Sequence, residues 1–281
     1  MAPKIFIEPP TFLGEDPSIP AEEKAKKRFS VKGKHAVITG GAGGLGVDSA
    51  FAMFEHELEG VLLIDQNDEG LNKAKDRLQK VYPNKKIVTR AVDVTSPEEV
   101  FAAAEFASQT LGSIDIVLSF AGVGGKTVKD EIESMSKIVD INLKGTYLVT
   151  RAFGNKMVKQ GKGGAIVMAA SLAGHEVCVP ASPNAYGASK AAVLSMRMNF
   201  ASEFGRYGIR VNSVSPSYME SPMISDLKGT EFNKKWNQKS PFGRFGARGE
   251  ICGPVLLLVS DAGSFINGSD IGIDGGMSPR L

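Results

Sequence analysis

The chain has little cysteine and little histidine. Its two cysteines, Cys178 and Cys252, cannot form a disulfide framework, and neither lies in a Cys-x-x-Cys pair. A reducing compartment is therefore expected. The three histidines, His35, His56 and His175, are too scattered for a zinc motif, so no metal site is expected. No run approaches the ~18 consecutive apolar residues of a membrane helix. Glu8, Pro9 and Pro10 stand where a secretory leader would be apolar, so the expectation is a cytoplasmic protein. The closing Pro279-Arg280-Leu281 loosely resembles the peroxisomal Ser-Lys-Leu address, with Pro for Ser, and makes peroxisomes the second expectation. Charge of one sign is not in excess either, with 33 basic and 31 acidic side chains for a net of +2. The one mixed run, Glu22 to Arg28, reads as solvated, and neither nucleic acid nor an anionic membrane is an expected partner.

What is present suffices for a sizeable core: 281 residues, 42% hydrophobic and 23% charged. Five of the 14 prolines fall in the first 20 residues, so residues 1 to about 30 are expected to form an irregular arm. From His35 onward short apolar runs recur at His35–Thr39, Val61–Ile64, Ile87–Val92, Ile114–Phe120, Ala165–Ala170, Ile209–Val214 and Ile271–Asp274, each the size of a buried strand. The first four start about 26 residues apart, which leaves room for a helix and two loops, the βαβ spacing of a parallel sheet. Between the third and fourth, Ser96-Pro97-Glu98-Glu99 is a helix start signal, and Val100, Ala104, Ala107 and Leu111 repeat at helical spacing behind it. The reading is one α/β domain over residues 31–281. Its longest interruption, about 217–240, is mixed polar and bulky and is expected to be a substrate lid.

Directly after the first strand comes Thr39-Gly40-Gly41-Ala42-Gly43-Gly44-Leu45-Gly46. A strand-to-helix turn built this way lets backbone amides approach a pyrophosphate at a helix N-terminus. The run fits two registers, Gly41-x-Gly-x-x-Gly46 and Thr39-Gly40-x-x-x-Gly44-Leu45-Gly46. Asp65, nineteen residues beyond Gly46, ends the second strand. It is placed to accept hydrogen bonds from the adenosine ribose and to repel a 2′-phosphate. At ~4 Å and an effective dielectric near 20 that repulsion is about 4 kcal/mol, so NAD is the expected cofactor. An Asp that merely caps the next helix would occupy the same place.

Tyr186 and Lys190 lie four apart in Tyr-Gly-Ala-Ser-Lys, which puts both side chains on one face of a helix. With five tyrosines and 33 Lys or Arg, chance alone supplies such a pair about as often as not, and Tyr82 with Lys86 is another. Ser171, at the end of the fifth strand, distinguishes the first pair, because ligands bind at the C-terminal edge of open parallel sheets. A phenol with pKa near 10 needs about 3 units of depression to act as a base at pH 7. An ammonium ~4 Å away supplies roughly that much.

With these motifs in order, the sequence resembles the common, non-extended short-chain dehydrogenases/reductases from about Val31 to Gly276. It shares their Thr39-Gly40 with Gly44 and Gly46, Asp93-Val94 after the third strand and Ala121-Gly122 after the fourth. It also shares Asn142 in Asp-Ile-Asn-Leu, Ser171, Tyr186-x-x-x-Lys190 and Asp274-Gly275-Gly276. The resemblance implies a Rossmann-type, doubly wound parallel sheet of about seven strands with helices on both faces. It further implies hydride transfer between a nicotinamide and a secondary alcohol or ketone. By that resemblance Tyr186 is the acid/base, Ser171 holds the substrate oxygen, Lys190 lowers the phenol pKa and binds the nicotinamide ribose, and Asn142 anchors a water relay. Read alone, Asn142 could as easily mark a helix kink. Asp93 and Val94 would border the adenine and Ala121-Gly122 the ribose, while the Met219 backbone and the Ser221 hydroxyl would meet the nicotinamide amide or a phosphate. The family is often tetrameric, which makes a homo-oligomer, tetramer or dimer, the expectation.

Three positions depart from the family pattern: Ser119-Phe120 replaces Asn-Asn, Ser217 replaces Gly after Pro216, and Ser221 replaces Thr. The lid offers Met219, Met223, Phe232, Trp236 and Phe242, and the loop after Ser171 offers His175 and Cys178, to a partly apolar pocket. Trp236 and the methionines serve equally well as packing or as an oligomer interface. Trp236, Pro241 and Arg244 resemble polyol and ketose members. Two other readings stay open, an NADPH-dependent carbonyl or ketose reductase and a non-catalytic dinucleotide sensor.

Overall fold

A computed structural model describes residues 16–124, 132–176, 184–220 and 227–278. The expectations for Cys178, Ser221, Met223 and Pro279-Arg280-Leu281 fall outside these residues.

Seven parallel strands form one sheet in the order β3-β2-β1-β4-β5-β6-β7. They are β1 (His35–Thr39), β2 (Gly60–Asp65), β3 (Lys86–Ala91), β4 (Ile116–Ser119), β5 (Gly164–Ala169), β6 (Ile209–Pro216) and β7 (Asp270–Ile273). All seven expected runs are strands, β1 with the expected bounds and the others with ends shifted by no more than two residues. At β4 the strand starts two residues late: Ile114 lies before it and its amide donates to Gln160 Oε1. The order in which strands are added reverses between β1 and β4, and ligands in such sheets bind in the crevice beside the strand ends at that switch point.

The period-two alternation of strand side chains splits the core into two layers. Ala36, Ile38, Val61 and Leu63 face α2 (Gly44–Glu55), α3 (Asp68–Val81) and α9 (Cys252–Val259). Val37, Leu62, Ile64 and Val117 face α4 (Pro97–Leu111), α6 (Thr146–Gln160) and α7 (Asn184–Gly205). With helices on both faces, the fold is the doubly wound one expected. Helix α4 starts where its signal placed it: the Ser96 side chain accepts from the Glu99 amide, and Gly112 ends it at φ +86°.

The arm requires a correction, because residues 21–29 form a helix, α1 (Ala21–Phe29), rather than irregular chain. Pro20 caps it, Glu22 and Glu23 lie in its first turn, and Lys26, Lys27 and Arg28 lie in its last, the order that opposes the helix dipole. A Glu23–Lys27 pair at i,i+4 adds to this. No residue of α1 is buried, so the charged run is solvated as expected.

Within the expected lid, α8 (Glu231–Lys239) begins at Thr230, whose side chain accepts from the Asn233 amide. Trp236 is 1% exposed and packs with Leu172 and Phe245 in a third small core, with Tyr218 and Phe232 against it. It is therefore a packing residue, and the pocket-lining expectation for it is corrected. Phe242 is exposed.

Candidate active site

The glycine run forms the turn from β1 into α2. Gly40 has φ +71°, and a Cβ there would lie 2.8 Å from the Phe120 carbonyl oxygen. A Cβ at Gly46 would lie 2.6 Å from the Gly40 oxygen. A Cβ at Gly41 would likewise lie 2.8 Å from Leu63 Cβ, so both registers include glycines that the turn cannot replace with larger residues. Thr39 Oγ1 accepts from the Phe120 and Ala121 amides at 3.1 and 3.2 Å, which pins the ends of β1 and β4 together at the reversal. Helix α2 has no side-chain N-cap bond and no acidic residue in its first turn. That leaves its N-terminal amides and partial positive charge for an anion.

Beside this turn lies a cavity of about 340 Å³. Its walls include Gly40, Gly44, Leu45 and Gly46, together with Asp65, Asp93, Val94, Ala121 and Gly122. Residues from the ends of four strands thus converge as the sequence predicts. The reading missed Gln66, Val92, Val123 and Ile141, which also line the cavity and are ordinary residues without a motif signature. Asp65 accepts from the Ala42 amide at 3.3 Å and the Asn67 amide at 3.1 Å. The cap of α3 is Asn67, which accepts from Gly70, so Asp65 is not merely a cap. No Lys or Arg is among the described lining residues. Asp93 is held by its own turn, accepting from the Thr95 amide and hydroxyl. The amide cradle and the carboxylate fit the pyrophosphate and adenosine part of a nicotinamide dinucleotide.

The acid/base candidates stand at the same edge. Helix α7 carries Tyr186 and Lys190 on one face, and Lys190 Nζ is 5.6 Å from the Tyr186 ring centroid. Lys190 is 3% exposed, and Nζ donates to the Ala169 carbonyl at 2.7 Å. Burial pulls its ammonium down to about 8. Ser171 is buried at the end of the segment after β5, and its Oγ accepts from the Ala173 amide at 3.2 Å. Gly122 joins this group to the cavity: a Cβ there would lie 3.4 Å from Lys190 Nζ and 3.2 Å from Asn142 Oδ1.

Asn142 is fully buried inside a π-helical turn, Asp140–Gly145, that joins α5 (Ile132–Val139) to α6. Turns of this π type gather at functional sites. Its Oδ1 accepts from the Val123 amide at 2.9 Å, and its Nδ2 donates to the Val123 carbonyl at 3.0 Å and to Ser189 Oγ at 3.2 Å. Ser189, one residue before Lys190, donates in turn to the Tyr186 carbonyl. The sequence reading overlooked this serine although it lies inside the Tyr-Gly-Ala-Ser-Lys segment. Phe120, in place of the usual amide side chain, packs against the core layer behind the sheet. Met219 is buried, bridges Gly246 and presses its sulfur toward it. The decoy Tyr82 caps α3, where burial and then Glu55 raise its phenol. His175 faces Asp270 at 2.9 Å.

Residues 40–278 match the family described as enoyl-(acyl carrier protein) reductase. The chain is 33% identical over 254 residues to a sorbose reductase of Candida albicans, covering 88% of each. It is 34% identical to a probable NADP-dependent mannitol dehydrogenase of Yarrowia lipolytica, covering 89% of each. The crystal structure of a short-chain type dehydrogenase/reductase from Mycobacterium marinum superposes with a TM-score of 0.85 at 34% identity, over 90% of this chain and 99% of that one. Among the described residues no helix is long and apolar enough to cross a membrane, and no cluster of three or more His, Cys, Asp or Glu could hold a metal.

Proposed function

The chain belongs to the short-chain dehydrogenase/reductase family of alcohol and ketone oxidoreductases, and on that premise we propose that it is an NAD-dependent secondary-alcohol dehydrogenase or ketoreductase. Ser171, Tyr186, Lys190 and Asn142 are its acid/base set. The observation that carries this reading is the buried Lys190 ammonium, held between the Ala169 carbonyl and the Tyr186 ring at the edge of the glycine-lined cavity. The same intact set argues against a non-catalytic sensor.

The nicotinamide, when bound, accepts or supplies the hydride. Tyr186 Oη takes the proton from the alcohol hydroxyl as the carbon–hydrogen bond breaks, and returns it to the carbonyl oxygen in the reverse direction. The ammonium beside the ring favours the phenolate form of Tyr186. Ser171 holds the substrate oxygen through its hydroxyl. Asn142 acts by fixing Val123 and, through Ser189, the first turn of α7. Gly40, Gly44, Leu45 and Gly46 hold the pyrophosphate, Asp65 the adenosine ribose, Asp93 and Val94 the adenine, and Ala121 and Gly122 the sugar. The Met219 backbone and Ser221 belong to the nicotinamide end.

NAD is favoured by the Asp65 carboxylate and by a described lining free of cations. The mannitol dehydrogenase relative is NADP-dependent by name, and this supports the second reading, an NADPH-dependent ketose reductase. Both relatives favour polyols or ketoses as substrates. We place the lid at about 217–240, the protein in the cytoplasm, and its active form as a homo-oligomer. The exposed Tyr147 of α6 and Met196 of α7 line a groove of about 400 Å³ that offers the face for a second copy. The test is nicotinamide absorbance with a panel of polyols, secondary alcohols and ketones, NAD and NADP side by side, and Tyr186→Phe as control. Turnover by wild type that survives unchanged in Tyr186→Phe defeats the acid/base assignment.

A further inference from the structure

Asp270 opens β7 with a carboxylate that is 7% exposed. Its hydrogen-bond donors include Ser213 Oγ at 2.5 Å and Ser215 Oγ at 2.9 Å on Oδ1, and His175 Nε2 at 2.9 Å on Oδ2. Arg197 of α7 stands 4.0 Å from Oδ1 and donates to Ser213 Oγ at 3.2 Å. Because Ser215 spends its hydrogen on Asp270, the His175 ring carries its own on Nε2 and donates it. The group is not a nucleophile–base–acid relay, since Ser215 is fully buried and meets the same imidazole nitrogen that Asp270 meets.

Charges are costly to bury, and apolar residues at these strand positions would stabilise the sheet at least as well. The cluster is better explained by what it holds. His175 closes the single 3₁₀ turn, Leu172–Gly174, that follows Ser171: its amide donates to Leu172, and the Gly174 amide donates to Ser171, each at 2.9 Å. The inner side of that turn lies directly on α7. A Cβ at Gly174 would be 2.8 Å from the Lys190 carbonyl carbon, and one at Gly187 would be 2.9 Å from the Ala173 oxygen. The outer end is tied by His175 to Asp270 on β7. The turn that presents Ser171 is therefore clasped between the helix of Tyr186 and Lys190 and the edge strand.

We infer that His175 and Asp270 are positioning residues that fix the Ser171 hydroxyl against Tyr186. The inference rests on the acid/base reading above. Loss of the clasp lets the turn move, and a misplacement of about 1 Å at a reacting centre costs on the order of a hundredfold in rate.

The test uses the full chain with His175→Ala and His175→Gln, because a glutamine amide nitrogen reaches the place of Nε2 and can donate to the same carboxylate. Amide hydrogen exchange over residues 171–176 reads the clasp without any substrate, NADH fluorescence reads dinucleotide binding, and turnover on the best substrate of the panel gives kcat and KM. In His175→Ala, exchange in the turn rises roughly tenfold and kcat falls about ten- to a hundredfold while NADH affinity is unchanged. In His175→Gln, exchange and most of kcat return. Wild-type kcat in His175→Ala, or a glutamine variant as impaired as the alanine one, overturns the positioning role alone. A wild-type chain inactive with both dinucleotides across the whole panel overturns the functional reading and this role with it.

Discussion

Lys190 Nζ donates at 2.7 Å to the carbonyl of Ala169, the last residue of β5, and this bond holds a buried ammonium beside the ring of Tyr186. The lysine is protonated below about pH 8 in the folded chain and below about pH 10.5 in the unfolded one. Below pH 8 its burial penalty is fully present, about 3 kcal/mol for the difference between those two values. The penalty shrinks as pH rises from 8 and is gone above 10.5. Lys190→Met removes it but strands the Ala169 carbonyl, at about 1–3 kcal/mol. The variant is therefore expected to be inactive yet no less stable than wild type at pH 7. It is expected to lose about 3 kcal/mol relative to wild type on going to pH 10.5. Urea unfolding of both proteins at the two pH values measures this, and a pH-independent difference contradicts a buried ammonium.

We propose that Asp65 sets the preference for NAD over NADP. Its carboxylate is tethered to the glycine turn through Ala42, so it stays at the cavity wall rather than swinging away. Asp65→Ala removes a repulsion of about 4 kcal/mol against a 2′-phosphate together with the ribose acceptor. The ratio of kcat/KM values for NAD over NADP is expected to fall on the order of a hundredfold or more. A ratio that barely moves, with good NADPH use already in wild type, establishes the reductase reading instead.

Two glycines of the turn are expected to respond differently to alanine. At Gly46 the new Cβ meets the Gly40 carbonyl at 2.6 Å and Ile38 Cγ2 at 3.2 Å, between β1 and α2, where the backbone oxygen has no rotamer to escape into. At Gly44 it meets Arg248 Cδ at 2.9 Å, part of a flexible, partly exposed side chain. Gly46→Ala should cost about 1–3 kcal/mol in thermal or urea unfolding. Gly44→Ala should cost less than about 1 kcal/mol, because moving the arginine is cheap. Equal losses would mean that the packing of the turn has been misjudged.

The sheet was readable because the five central strands are apolar runs buried on both faces and the first four runs start at nearly constant spacing. The glycine turn, Asp65 and the Tyr186–Lys190 pair were readable for a related reason: their chemistry is local in sequence or lies at a strand end. Helix α1 was hidden behind its prolines, although the order of charges from Glu22 to Arg28 carried the signal. Trp236 was ambiguous because an aromatic in a long insertion has the same composition whether it lines a pocket or fills a core. Ser189 and Asp270 were missed because their roles depend on partners 47 and 95 residues away, Asn142 and His175. No period or spacing encodes such pairs.

Asn142 tests whether a fully buried amide can hold the cavity wall from outside. Its side chain satisfies both backbone groups of Val123, the residue after Gly122, and reaches Ser189 as well. Asn142→Leu fills nearly the same volume but leaves the Val123 amide and carbonyl without their partner, which costs roughly 2–4 kcal/mol if neither finds water. Because Val123 lines the cavity beside Gly122, the loss is expected to appear twice: as lower stability in urea and as NADH binding weakened about tenfold or more. Asn142→Asp keeps the acceptor for the Val123 amide but sets a carboxylate against the Val123 carbonyl. Its protonated form can donate where the amide did, so its stability deficit should narrow as pH falls toward 5. A deficit that stays constant with pH, or leucine binding NADH as well as wild type, would place the cavity wall under the control of other residues.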